Sequence, residues 1–378
     1  MNNVPAVDLA PALELLALAS VIAALPLAIW AWRHRGEGAR ARLVALAVLT
    51  LFLTGDLIVF GSFTRLTDSG LGCPDWPGCY GAASPIGADS PIATAQQAQP
   101  SGPVTLTKAW IEMVHRYLAM TVGALILVQA LLAWRARRSL AASALWAWAA
   151  LAWVIVQGLF GKYTVTLRLY PAIVTAHLLG GMVLVALLVA HLEAWRRAPL
   201  PAAPRGAGWA LALLGLQIAL GGWVSTNYAV LACRGFPQCN GQWWPAMDPA
   251  QGFTLLRELG RGAGEQFLPF AALVAIHMVH RLMALVVTLA LAALVWRLAR
   301  SADAGVRRYA AWLGALLALQ LASGLSNVLL DWPLAAALVH SGCAAGMVGV
   351  LVSLWCRSRA RQLYRSPGEA LAHRPSTT

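Results

Sequence analysis

Nine apolar stretches of roughly bilayer-spanning length decide what this chain can fold into: Ala12 to Trp32, Leu43 to Phe63, Thr107 to Trp134, Leu140 to Phe160, Pro171 to Trp195, Trp209 to Val224, Phe267 to Trp296, Tyr309 to Val328 and Pro333 to Cys356. Hydrocarbon offers no partner to a backbone amide, so each stretch must satisfy its own hydrogen bonds as a helix. Composition agrees, since 59% of the 378 residues are hydrophobic and 11% are charged, more apolar sequence than one soluble core needs. The expectation is an all-α integral membrane protein. The first stretch is too long for a signal-peptide core and no small-residue cleavage site follows it, which predicts a retained span.

A formal net charge of +13 raises the question of nucleic acid, but the arginines sit in short clusters between apolar runs rather than along one polar face. Nucleic acid is therefore excluded as a partner, and the clusters report topology. Arg33, Arg35, Arg40 and Arg42, then Arg135, Arg137 and Arg138, then Arg196, Arg197 and Arg205, then Arg297, Arg300, Arg307 and Arg308, then the tail from Arg357, fall in alternate connections and are expected on the cytoplasmic side. Nine crossings then put the N-terminus outside and the C-terminus inside. The loops Arg65 to Leu106 and Ser225 to Gln266 lie on the outer face.

Those loops carry an internal repeat. Aligning Gly61 to Gly81 with Gly221 to Gly241 gives six identities in 21 positions, among them Cys73/Cys233, Pro77/Pro237 and Cys79/Cys239. His115-Arg116 is answered by His280-Arg281, Gln157 and Gly161 by Gln320 and Gly324, and His177 by His340, at an offset that stays between 160 and 165 residues. The repeat predicts two tandem four-helix bundles, each crossing an even number of times, so that a parallel pseudo-two-fold axis relates them, plus one extra N-terminal helix. The corresponding boundaries are 1–42 for the extra helix and its loop, 43–200 and 201–357 for the two halves, and 358–378 for a basic cytoplasmic tail.

Five histidines, His115, His177, His277, His280 and His340, lie within apolar spans, where ionisable side chains are costly and face a bundle interior. His115 and His177 sit roughly two turns into helices entering from the outer side, His340 at a matching depth and His280 about one turn deeper. Each half thus offers one imidazole pair, a suitable axial ligand set for the iron of a flat macrocycle such as heme. The competing reading is interhelical hydrogen bonding, which a lone histidine would favour and a duplicated pair does not. A zinc or copper site would need a third ligand in the same layer, and only His277 is near.

The halves differ at one informative position: Glu112, one turn before His115, is replaced by His277 in the second half. An acid beside one site only implies one reactive and one passive site, with Glu112 as proton carrier or electrostatic stabiliser, unless it is an interfacial carboxylate paired with Arg116. Arg116 and Arg281 are candidates for heme propionates, for snorkelling or for binding a carbonyl. Cys73 with Cys79 and Cys233 with Cys239 are expected as two disulfides in an oxidising compartment, a four-thiolate metal site being the alternative, and structural stapling is favoured over a redox role. Cys343 and Cys356 read as small apolar fillers.

The segments FTRLTDSGLGCPDWPGCYG, WIEMVHRYLA, GKYTVTLRLYPAIVTAHLLGG and GGWVSTNYAVLAC together resemble the heme A synthase family, in its bacterial form with cysteine pairs in the outer loops. The likeness runs from about Leu43 to Cys356. It implies that heme O, the substrate, binds between His115 and His177, that a heme b cofactor lies between His280 and His340, and that Glu112 is the catalytic acid. It further implies oxidation of a heme O ring methyl to a formyl group, giving heme A for terminal oxidases, in a bacterial inner membrane with the cysteine loops periplasmic. Membrane lipid, an electron donor of unknown identity and a heme O synthase are the partners it suggests. The family pattern lacks the N-terminal span Ala12 to Trp32. The main rival is a di-heme membrane cytochrome b that only transfers electrons, and Glu112 in one half against His277 in the other argues against it. A repeat-built transporter is a further rival, disfavoured because the central spans show no pair of Gly- or Pro-broken helices of the kind expected at a midplane substrate site.

Overall fold

The computed structural model describes residues 10–139, 144–196, 198–200, 206–262 and 266–364. Among them the regular structure is helical, in the order α1 (Ala10–Arg33), α2 (Ala39–Leu66), α3 (Asp89–Ala98), α4 (Leu106–Ala136), α5 (Leu145–Thr166), α6 (Pro171–Arg196), α7 (Ala207–Thr226), α8 (Pro249–Gly252), α9 (Phe270–Ala299), α10 (Ala304–Leu329) and α11 (Leu334–Tyr364). Nine of these, all but α3 and α8, are long and apolar enough to cross a membrane. They match the nine apolar stretches one for one.

Local chemistry sets the ends. The Thr105 hydroxyl accepts a bond from the Lys108 amide at 3.2 Å and starts α4, and the Asp303 carboxylate does the same for α10 through Val306 at 2.8 Å. Helix α9 begins at Phe270 rather than Phe267, because Pro269 stands extended at its N-cap. The expected start of the fourth span at Leu140 lies in 140–143, outside the described residues, and α5 runs on to Thr166. Arg197, Arg205 and tail residues 365–378 also lie outside them. Helix α11 continues past Cys356 into the basic sequence, since a helix leaving hydrocarbon need not stop.

The spanning helices close into two rings. Helix α2 packs on α4, α4 on α5, α5 on α6 and α6 back on α2; likewise α7 packs on α9, α9 on α10, α10 on α11 and α11 on α7. The rings meet through α6 with α7, α6 with α11 and α2 with α11, while α1 lies outside against α4. Toward its basic end the second ring packs Ala210, Leu214, Leu294, Leu351 and Leu354 in one apolar cluster that α6 joins through Met182, Val185 and Val189.

One end of the bundle carries the arginine-rich connections, and the other carries the two cysteine loops. The loop ends repeat residue by residue: left-handed backbone occurs at Asp68 and Tyr228 (φ 50° and 54°), at Tyr80 and Asn240 (49° and 53°), and at Arg168 and Asp331 (50° and 53°). Cys73–Cys79 and Cys233–Cys239 close as disulfides with Cα separations of 4.9 and 4.8 Å. Different side chains brace the same turn, for Asp75 accepts from the amides of Tyr80 and Gly81 at 2.6 and 2.7 Å, whereas Asn240 accepts from Arg234 N and donates to Ala232 O at 3.0 and 2.9 Å. The first loop adds the short helix α3, whose Ile92 is buried against the Cys73–Cys79 cluster and which the apolar pattern does not announce.

Polar contacts fasten the rings to each other at both ends. At the loop end Arg65 donates to Ser225 O at 2.5 Å and lies 4.0 Å over the Tyr228 ring, and the Tyr228 hydroxyl donates to Asp68 at 2.6 Å. Burial raises that phenol above its ordinary pKa, so it acts as donor throughout the neutral range. At the basic end Ser353 donates to Glu193 at 2.7 Å, and Tyr309 and Arg357 extend the network at 2.7 and 3.1 Å.

Candidate functional site

In the first ring His115 projects from α4 and His177 from α6, each roughly two turns from the loop end. The two imidazoles lie close enough to interact electrostatically. Each rests on a glycine of the neighbouring helix: a Cβ added at Gly61 would come within 2.9 Å of His115 Nε2, and one at Gly161 within 3.7 Å of His177 Cε1. Phe60 stands parallel to the His115 ring at 6.4 Å. His177 Nδ1 is buried with no protein partner.

The second ring repeats this arrangement. His280 on α9 rests on Gly221 and His340 on α11 rests on Gly324, where an added Cβ would meet the imidazoles at 3.0 and 2.9 Å. His280 and His340 also lie within electrostatic range of each other. Here the rings are held by amides: Gln217 Nε2 lies 3.1 Å from His280 Nδ1, Gln320 Nε2 lies 3.0 Å from His340 Nε2, and Ser323 Oγ is 3.2 Å from His340 Nδ1.

All four imidazoles are only half-buried although they sit inside closed rings, so they border internal space. That space, with paired imidazoles and a bare glycine backbone beside each, fits a flat macrocycle ligated from both faces. Among the described residues no cluster of three or more His, Cys, Asp or Glu side chains could hold a bare metal ion.

Above the first pair, Glu112 is buried, 4% exposed, and its carboxylate is fully engaged. One oxygen accepts from the Cys73 amide at 2.8 Å and the other is 2.5 Å from Arg116 Nη2. Arg116 in turn donates to the carbonyls of Pro77 and Gly78. The loop can approach α4 this closely because residue 72 is glycine, where a Cβ would lie 2.5 Å from the Lys108 backbone. In the second ring His277 faces Ala229 O at 3.0 Å, and Arg281 donates to Cys233 O and Gln238 O at 2.7 and 3.3 Å, with no carboxylate paired to it among the described residues. Of the roles open to Arg116 and Arg281, these contacts are those of carbonyl binding. Glu112 is not solvent-exposed, but it is paired with Arg116 as its reading as a structural carboxylate near the helix end expects.

Gly61, Gly221 and Gln217 were not singled out as site residues from sequence. The signal was there in part, since Gly61 and Gly221 open the aligned repeat and Gln217 precedes Gly221 by one helical turn.

Fold and site together define a polytopic helical membrane protein built from two rings, each holding one histidine pair. The chain belongs to the COX15-CtaA family of cytochrome oxidase assembly proteins, whose family model matches residues 44–352. It is 36% identical over 331 residues to the heme A synthase of Shewanella oneidensis, covering 84% of this chain and 98% of that protein. The heme A synthases of Symbiobacterium thermophilum and Alkalihalophilus pseudofirmus are 31% and 27% identical over 82% and 79% of this chain, and 92% of each of theirs.

Proposed function

We propose that this chain converts heme O to heme A, oxidising a ring methyl group to a formyl group. The observation that carries the reading is the duplicated histidine pair, with an acid beside one copy only, in a chain that belongs to a family whose relatives are named heme A synthase. A di-heme cytochrome serving electron transfer alone has no use for that asymmetry.

Heme O is the substrate of the first ring, held between His115 and His177, and heme b is the cofactor of the second, held between His280 and His340. A bound heme b supplies one-electron redox chemistry, and the protein supplies position and electrostatics. His280 and His340 would hold the cofactor between α9 and α11, with the Gln217 and Gln320 amides beside their rings. Glu112 carries the negative charge next to the substrate ring and exchanges its proton there, with Arg116 and the Cys73 amide holding the carboxylate in place. Arg116 and Arg281 clamp the cysteine loops over the two rings through loop carbonyls and would offer guanidinium donors to heme propionates.

The halves span 43–200 and 201–357 and are related by a parallel two-fold axis. Supporting this, Arg65 touches Ser225 and Asp68 touches Tyr228, and each residue is the other's repeat mate at an offset of 160, the contact expected of positions beside such an axis. The arginine-rich end is cytoplasmic and the disulfide loops periplasmic, following the positive-inside rule. An electron donor and a heme O synthase complete the partners.

The test is to purify the protein from cells that make heme O, extract its hemes and identify them by mass. Heme b together with heme O, heme A or an intermediate is the expected content, and heme b alone in both rings would favour the electron-transfer reading.

A further inference from the structure

The mouth of the first ring carries a charge that the reaction site does not use. Helix α5 runs toward the cysteine loops, so Lys162 stands one residue nearer that end than Gly161, on which His177 rests. Lys162 is half-buried, and its ammonium lies 5.9 Å from the centre of the Trp76 ring. Trp76 precedes Pro77 and Gly78, whose carbonyls accept from Arg116. Two cations, one from α4 and one from α5, therefore meet the same short stretch of loop, 76–78, on the loop side of the first histidine pair.

These cations are not equivalent. Glu112 neutralises Arg116, whereas no carboxylate pairs with Lys162 among the described residues. An indole face attracts an ammonium without cancelling its charge, so Lys162 keeps the capacity to take an anion. The second ring lacks this arrangement. Carrying the register of Gly161 and Gly324 along α5 and α10, Lys162 answers to Leu325, and Arg168, exposed in the turn that follows, answers to Asp331. Trp76 answers to Phe236, and Arg281 holds its loop with no cation at the loop end of α10.

We propose that Lys162 binds a propionate of heme O and is a substrate-recognition residue of the first ring. Heme O is an apolar macrocycle with its carboxylates on one edge, and inside a helix bundle that edge is stable only at a polar boundary that offers a counter-charge. The loop end of the first ring is such a boundary, and Lys162 is its unneutralised cation. Lysine suits a ligand that arrives as substrate and leaves as product. Its ammonium is a point charge on a flexible stem, able to turn from the Trp76 face to a carboxylate without the two-pronged geometry of a guanidinium. A resident heme b needs no exchange, and the second ring carries Leu325 in that place. The role rests on the assignment of heme O to the first ring.

The test is spectral titration of the heme b-containing protein, purified from cells that make no heme O, with heme O and with heme O dimethyl ester, whose propionates are neutral. Wild-type protein should bind the free acid about tenfold tighter than the ester. Lys162→Met keeps an apolar stem against Trp76 and removes the charge. It should weaken heme O binding about tenfold while leaving ester affinity and heme b content unchanged. Equal affinity of wild-type protein for acid and ester overturns the proposal, whether or not the variant folds. So does a Met variant that weakens both forms alike, as a lysine that merely anchors the helix end would, or one that weakens neither. A wild-type protein that holds heme b but takes up neither form defeats the placement of heme O itself, and the proposal with it.

Discussion

His340 rests on Gly324, and a single methyl group on that glycine would come within 2.9 Å of the imidazole. The same relation joins His280 to Gly221, His115 to Gly61 and, with more room, His177 to Gly161, so the repeat has kept a histidine and its glycine seat together four times. A helix interior ordinarily prefers alanine to glycine by about 1 kcal/mol. Keeping glycine there reflects the space the imidazole needs.

It follows that Gly324→Ala should remain folded, because the gain in helix propensity of about 1 kcal/mol offsets the displacement of a side-chain end. The displaced imidazole should nevertheless lower heme b occupancy. Thermal unfolding and heme content per protein, measured together, distinguish the two effects, and full heme content with an unchanged spectrum would show that the glycine seat is incidental.

Removing a ligand outright should be harsher. His280→Ala or His340→Ala is expected to abolish the low-spin signal of the second ring while leaving the first ring able to bind heme O. Optical spectra of protein from cells with and without heme O make the comparison, and low-spin heme persisting in both variants from cells that make no heme O would rule out these ligands.

Glu112→Gln should fold, because the amide oxygen can still accept from Cys73 N–H, and Arg116, which loses its carboxylate partner and faces the amide NH2, keeps its bonds to the Pro77 and Gly78 carbonyls. Heme b should bind normally. Heme A formation should fall by about 100-fold or more if the carboxylate moves a proton at the substrate ring. Accumulation of heme O or of a partly oxidised intermediate is the expected profile by mass, and ordinary heme A levels would reduce Glu112 to a brace for the cysteine loop.

Replacing Cys73 and Cys79 by serine should leave the bundle folded, since closing so short a loop contributes on the order of 2 kcal/mol and the rings pack independently of it. The loop should loosen over Glu112. Protease cleavage within 74–104 should accelerate while α2 and α4 stay protected, and cleavage spreading into those helices would mean the disulfide holds the ring itself.

Sequence alone determined the spans, because a bilayer demands a fixed length of apolar helix and tolerates little else. It determined the paired histidines as well, since a duplicated ionisable group inside apolar sequence has few innocent explanations. The length of α5 and α11 and the presence of α3 escaped it, for those features depend on surroundings beyond the hydrocarbon. What Glu112 does locally was legible only in part: its pairing with Arg116 four residues on can be read from the helix, whereas only the folded chain brings the Cys73 amide onto its other oxygen. The glycine seats were decided by tertiary structure. A helix does not say in its own sequence which neighbour it will press against, and the meaning of a small or polar residue in a membrane lies in that neighbour.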